Sequence, residues 1–210
     1  TGKFTIDAWV RTPSNDSNVV CGQVTNATNF WGFTFNTSAD TIAFGSITAG
    51  DWDVNFTIPA TLAVDTWYHI AVVRDGTTEA TWHMFLDGVE GTKTLGAGAY
   101  TGTIYNSADT LRVGSLDGNF ANDMDGWIDE LRIVNGTAVW TANFTVPSAA
   151  YSGNTASGTE LLLHMDGTDA ATTFIDDSAS VSSNGSKLQS LCEDPVPNTT
   201  GLDGALFFID

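Results

Sequence analysis

The sequence predicts an all-β fold: an antiparallel, two-sheet sandwich of the jelly-roll kind. Three observations predict it. Apolar residues recur with period two through several segments. Polar turns and 21 scattered glycines punctuate those segments. No window keeps a helical repeat. The 210 residues suit one large or two small domains, and sandwiches of this length often form one unit. Hydrophobic residues make up 42% of the chain, with 7 Trp and 12 Phe, so a sizeable core is available.

The strands follow in order. Phe4 to Arg11 puts Phe4, Ile6, Ala8 and Val10 on one face and Thr5, Asp7 and Arg11 on the other. Phe30–Phe35 and Thr41–Phe44 are short aromatic or β-branched runs bounded by Asn, Thr and Gly. Trp67–Arg74 and Thr81–Leu86 form a pair around the turn-like Asp75-Gly76-Thr77-Thr78. Leu111–Gly114 and Trp127–Val134 continue the pattern. Many strands joined by polar turns indicate a sandwich or jelly roll. After Pro147 the composition shifts. Residues 148–160 read as a polar linker, Leu161-Leu162-Leu163-His164-Met165-Asp166-Gly167 restarts a strand, and Ala205–Ile209 is another apolar run. The expected organisation is a body at 1–147, a linker at 148–160 and further strands at 161–210.

Charge narrows the function. Against 25 Asp and Glu stand 7 Lys and Arg, a net charge of −18. Such a chain repels phosphate backbones and anionic headgroups, which disfavours nucleic acid and membrane surfaces as partners. No apolar run approaches the ~20 residues of a membrane span. The chain opens at Thr1 inside what reads as a strand, so it is expected to be a mature fragment or one segment of a longer chain. Cys21 and Cys192 are too few for a disulfide scaffold. They form either one bridge, worth about 4 kcal/mol or more in the chain-entropy model, or two buried thiols. Asn15, Asn26, Asn36, Asn55, Asn135, Asn143, Asn184 and Asn198 each open an Asn-x-Ser/Thr triplet, where chance would give roughly three. The excess points to N-glycosylation and an extracellular location; the turn preferences of Asn and Thr also inflate such a count.

Four segments carry a family likeness. Phe4–Arg11 resembles the early inner strand of laminin-G-like, concanavalin A-like jelly rolls. Trp67–Gly76 with Trp82–Gly88 resembles their central hairpin, and Gly126–Ile133 their last strand. Trp140–Pro147 is similar to the tail seen in phage tail-fibre and virion-surface versions. The order departs from the family in one way. Leu161–Asp169, Thr173–Ser178 and Gly204–Phe208 resemble opening strands displaced to the C-terminus. They either complete this body as a circular permutation or complete a neighbouring copy by strand donation, and a separate truncated domain is a third reading.

Candidate chemistry is sparse. Glycoside hydrolysis needs two carboxylates flanking the bond, and none of the five Glu lies two residues from another acid on a recognisable inner strand. Asp51/Asp53 and Asp123/Asp125 have the spacing but a loop-like context. His69 and His83 suggest a metal pair across the hairpin, with two polar sheet positions as the plainer reading. The expectation is no enzyme. Asp117–Gly126 is rich in oxygen donors but fails the EF-hand pattern at Ala121. The family likeness implies a structural calcium served by Asp129 with Asp176 or Asp177; Asp123 and Asp125 are the other candidate ligands. Trp52, Trp31 and Tyr100 are candidate sugar-stacking rings, whereas Trp9, Trp67, Trp82 and Trp127 belong to strands as packing residues. The leading functional expectation is a non-catalytic structural or adhesive module, a repeat or subunit of a filament, fibre or virion or cell surface, partnered by copies of itself. A glycan-binding, lectin-like module is the alternative, and a hydrolase ranks last.

Overall fold

A computed structural model describes residues 2–106, 108–116, 123–151, 156–166 and 173–178, together with short strands at 188–189 and 205–207. In chain order the strands are β1 Phe4–Arg11, β2 Ser17–Asn26, β3 Asn29–Asn36, β4 Thr41–Thr48, β5 Asp51–Pro59, β6 Tyr68–Arg74, β7 Trp82–Leu86, β8 Val89–Glu90, β9 Thr94–Leu95, β10 Arg112–Val113, β11 Gly126–Asn135, β12 Thr159–Leu163, β13 Thr173–Phe174, β14 Leu188–Gln189 and β15 Ala205–Phe207. A 3-10 turn, Glu79–Thr81, joins β6 to β7. All strand pairs are antiparallel. The first sheet runs β12-β11-β1-β6-β7-β8, with β15 also against β11; the second runs β10-β2-β3-β4-β5-β9.

The all-β sandwich expected from the period-two pattern is the observed fold. Inward residues of the first sheet (Ile6, Ala8, Val10, Ile70, Val72, Met84) meet Phe33, Phe35, Ile42, Phe44, Val54, Phe56 and Ile58 of the second. Trp82 sits fully buried between them, with the rings of Phe4, Phe44 and Phe56 at 5.3–5.4 Å. Aromatic packing of this kind dominates the cohesion of a two-layer core.

The opposite face of the first sheet is not open to water. Residues 136–151 cross it as a strap. The Thr5 hydroxyl donates to the Thr137 carbonyl and accepts from the Val139 N–H. Trp140 and Phe144 stack at 3.9 Å and lie over Ala71, Val73 and Phe85. The Phe144 N–H donates to the Gly88 carbonyl at 2.9 Å. Gly88 is required there: its φ is +75°, and a Cβ would sit 2.1 Å from the Phe144 oxygen.

Beyond the strap, β12 pairs with the outer edge of β11 in this same chain, Leu161 to Ile133 and Leu163 to Leu131. Leu161, Leu163, Met165 and Phe174 join the main core. Tyr151, inside the segment read as polar linker, is buried, and the strand begins at Thr159, ahead of the expected Leu161. The second sheet contains two long strands, β2 and β5, that the sequence reading passed over.

Candidate functional site

Charged groups gather first under the strap. Asp7 lies directly across from Arg132 in the β1–β11 register, and β6 brings His69 beside it. The Arg132 Nε donates to Asp7 Oδ1 at 2.9 Å, and the Tyr151 hydroxyl donates to Oδ2 at 2.5 Å; His69 Nε2 stands at 3.4 Å. Burial alone would raise the Asp7 pKa. The His69 and Tyr151 hydrogen bonds and the Arg132 charge outweigh it and hold the carboxyl below its ordinary range. Arg132 also lies over the Tyr151 ring at 4.0 Å. Asp7 and His69 are both 0% exposed. This constellation anchors the strap and offers no opening to a substrate. His69 and His83 do not form the suggested pair: His83 opposes Val73 and bonds Glu90 at 2.7 Å.

A second cluster sits where β11 meets β12. A bulge between Asp7 and Trp9 puts two β11 residues against Ala8, and Glu130 adopts φ +50°. Glu130 binds the Tyr151 N–H at 2.7 Å through one oxygen and His164 Nδ1 at 2.7 Å through the other. His164 also meets Asp177 at 3.4 Å. Burial alone would lower the His164 pKa, but Glu130 and Asp177 raise it. Burial pushes the Asp129 carboxyl up to about 8, with Glu130 and Asp166 adding repulsion. Asp176 caps backbone instead, accepting the N–H groups of Leu162 and Ser178.

These acids divide into two places. Asp125 lies at the start of β11, where its N–H bonds Asn18 and its carbonyl bonds Thr12. One Asp123 oxygen there is buried without a hydrogen-bond partner. Asp129 and Asp177 belong to the β11–β12 junction. Among the described residues, no three His, Cys, Asp or Glu side chains group to hold a metal ion. Residues 117–122 of the donor-rich segment lie outside the described residues. Asp51 and Asp53 are on β5, not in a loop. A bulge separates them, and Asp53 is tied to Thr101 at 2.6 Å, so they do not form a same-face acid pair.

Of the sheet faces, the outer face of the second sheet is the open one. On β3, β4 and β5 it carries Phe30, Thr34, Asn36, Thr41, Ala43, Gly45, Trp52, Asn55 and Thr57, all half-buried. The register lines them in rows: Phe30–Ile47–Trp52, Gly32–Gly45–Asn55, Thr34–Ala43–Thr57. Trp52 reaches this face because the bulge at Asp53 turns it over. Its ring stands over Gly45, where a Cβ would lie 2.6 Å from the indole, and meets Phe30 edge-on at 6.2 Å. Leu116 covers Gly22 and Gly32 on the β10 side.

The structure separates the three candidate sugar-stacking rings. Trp52 is on the open face. Trp31 points inward, stacks on Phe44 at 6.0 Å and donates its indole N–H to Gln23. Tyr100 packs on Phe56, accepts from the Trp82 indole and donates to the Thr77 carbonyl. Both are held by packing. Phe30 was missed; it stands in the same alternating run as Phe33 and Phe35, but on the opposite parity. Trp9 and Trp127 pack outside the core, against His69 and Arg11.

Asn15, Asn26, Asn135 and Asn143 are exposed, and Asn36 and Asn55 are half-buried on the open face. Asn184, Asn198 and Cys192 lie outside the described residues. Cys21 is buried in the core, and burial pushes its thiol up to about 12.

The profile described as the concanavalin A-like lectin/glucanases superfamily matches residues 1–142. No curated protein matches the chain. Among solved structures, a Bacteroides ovatus protein assigned to carbohydrate binding aligns with TM-score 0.56 and 17% identity. The alignment covers 83% of this chain and 49% of that one, so the chain spans about half its length. The LG4-5 domains of the mouse laminin alpha1 chain align with TM-score 0.48 and 14% identity, over 69% of this chain and 40% of that one. A carbohydrate binding module from Bacillus subtilis aligns with TM-score 0.36 and 12% identity, over 48% and 63%.

Proposed function

We propose, for a chain that belongs to the concanavalin A-like lectin/glucanases superfamily, a module that binds carbohydrate without cutting it. The observation that carries the reading is the open face of the second sheet. It offers an aromatic pair, Trp52 and Phe30, beside the hydroxyls of Thr34, Thr41 and Thr57; the amide of Asn36 also accepts from Ser38 and Ala39, and that of Asn55 donates to the Ala97 carbonyl. Aromatic faces stack on the apolar faces of sugar rings, and amides and hydroxyls satisfy sugar hydroxyls. None of the nine residues named on that face is a carboxylate; the nearest acid on these strands, Asp53 beside Trp52, accepts from the Thr101 hydroxyl at 2.6 Å, and no second acid among the described residues pairs with it to flank a glycosidic bond. The Bacteroides ovatus relative, described as binding carbohydrate, is consistent with this reading.

The test is affinity electrophoresis and calorimetry against a polysaccharide panel, with reducing-end release measured in parallel. Binding without release, weakened at least tenfold by Trp52→Ala, is expected. Release of reducing ends, lost on mutating an acid, would restore the hydrolase.

A second reading, an extracellular structural or adhesive repeat, is favoured by one feature. The β11 edge is closed by a strand that arrives after the strap, and the same strand supplied by a neighbour would join copies into a filament. Light scattering across a hundredfold concentration range tests it; a strict monomer throughout rejects it.

A further inference from the structure

Resting on the carbohydrate-binding reading, we infer that the open face takes an uncharged polysaccharide, bound as an extended segment, and rejects acidic glycans. Charge distribution carries the argument. Exposed surfaces are commonly about a quarter to a third charged, so nine positions would ordinarily hold two or three ionisable groups. Phe30, Thr34, Asn36, Thr41, Ala43, Gly45, Trp52, Asn55 and Thr57 hold none. The acids of this region are Asp51 in the β4–β5 hairpin, Asp40 in the turn before β4, and the half-buried Asp53 beside Trp52 on β5, which is tied to Thr101 at 2.6 Å. Together with a net charge of −18, they set a potential that a polyanion meets before any contact.

Recognition of a sulfate or uronate needs a guanidinium or ammonium on the face. The described cations are elsewhere. Lys3 pairs with Asp75 and Arg11 with Asp65. Arg74 and Arg132 are buried. Lys93 lies over the ring of Phe56, which points into the core. Arg112, exposed on edge strand β10, is two strands from β3, the near edge of the face, or roughly 10 Å, with Leu116 between.

What the face does offer suits neutral sugars. The hydroxyls of Thr34, Thr41 and Thr57 have no hydrogen-bond partner among the described residues, and Thr34 and Thr57 flank Ala43 in one row. From Phe30 to Asn36 the face runs six residues along β3, about 20 Å, longer than one sugar ring. Trp52 and Phe30 close one end. The geometry is that of a strip with one stacking terminus and hydroxyl contacts along its length, not of a pocket for a chain end.

The experiment uses the 210-residue chain made in a bacterial cytoplasm, so that Asn36 and Asn55 stay bare. It is titrated with neutral polysaccharides (β-glucan, mannan, xylan) and acidic ones (heparin, alginate, polygalacturonate) at 20 and 300 mM salt. Expected are binding to at least one neutral polymer, less than a twofold change with salt, and at least tenfold loss in both Trp52→Ala and Ala43→Glu. Longer oligosaccharides of the same sugar should bind more tightly than the disaccharide. Circular dichroism and thermal melts confirm that each variant folds, and Thr57→Glu replaces any that does not. Salt-sensitive binding to an acidic polymer overturns this inference but leaves the carbohydrate reading standing. Neutral binding untouched by all three variants overturns the assignment of the face. No binding to any polymer overturns both, as does a dimer that Ala43→Glu converts to monomer.

Discussion

Replacing Asp7 by Ala removes the acceptor that the buried Arg132 and Tyr151 donors share, with His69 also beside it at 3.4 Å. Arg132 loses its 2.9 Å partner while remaining 2% exposed, and the Tyr151 hydroxyl loses its 2.5 Å acceptor. Removing one partner of a buried ion pair costs about 3–5 kcal/mol, a large part of the roughly 5–15 kcal/mol that holds a domain together. At a urea dependence of about 2–3 kcal/mol per molar, the unfolding midpoint should fall by about 1–2.5 M. Tyr151→Phe removes one hydrogen bond to a charged group and should cost less, about 1.5–3 kcal/mol. The pH dependence follows from the depressed pKa of Asp7. A carboxyl held below its unfolded value near 3.8 stabilises the fold fully above that value, and the contribution is lost as pH falls through the folded pKa. The gap between wild type and Asp7→Asn should therefore be widest well above pH 3.8 and narrow progressively as pH falls below that value. Equilibrium urea unfolding at pH 6, 4 and 3 measures it. A loss under 1 kcal/mol for Asp7→Ala, or a gap that stays constant with pH, refutes the account of Asp7 as the anchor.

Other consequences are measured as directly. Asp129→Asn removes a carboxyl whose pKa is about 8 in the fold. Wild-type stability from this group is fully present below about 3.8 and lost as pH rises through 8, so the variant should melt higher than wild type at pH 8.5 and level with it at pH 4. If millimolar calcium reverses that order, Asp129 is a cation ligand after all. Gly88→Ala forces a side chain into φ +75° and onto the Phe144 carbonyl; a loss of about 1–3 kcal/mol in thermal unfolding is expected, with faster proteolysis of the strap. Trp82→Ala opens the centre of the sandwich and should cost about 3–5 kcal/mol by chemical denaturation. The Cys21 thiol, buried and raised to about 12, should stay unreactive to Ellman's reagent in the folded state. In denaturant, two reactive thiols indicate free cysteines and none indicates the Cys21–Cys192 bridge.

Much of this architecture was legible because β1 and β3 keep their apolar side chains on one parity and β6 and β11 are dense in apolar and β-branched residues, although both faces of β1, β6 and β11 are buried. Strand β5 was equally readable: Val54-Asn55-Phe56-Thr57-Ile58 alternates without fault, and it was obscured by the aspartates and glycine before it. Strand β2 was harder, because its bulges at Val19–Cys21 and Val24–Asn26 break the period and bury Val19, Val20 and Cys21 in succession. The faces of β1 were assigned correctly, yet polarity alone does not tell water from a strap. Asp7 reads as a surface residue until Arg132, 125 positions away, is brought opposite it. The same limit applies to the candidate rings. Trp52 follows from sequence only as an aromatic near a turn; the bulge that turns it outward is set by hydrogen-bond register. Trp31 and Tyr100 gave the same signal and pack instead, one by strand parity and the other through its hydroxyl.

The position of β1 between β6 and β11 has a consequence for biosynthesis. Phe4 emerges from the ribosome before its partner Asn135, which is made 131 residues later, and the Leu131–Val134 part of the β11 edge stays open until Leu163. Until then the nascent chain carries an unfinished first sheet with one bare edge and no completed strap. Pairing over such separations is slow, and exposed strand edges invite association. Translation speed and holdase chaperones should therefore govern the yield of this chain more than its final stability does. A production strain that slows elongation before residue 126 gains nothing, whereas one that shields the β1–β6–β7 half until residue 163 has emerged should raise the soluble fraction.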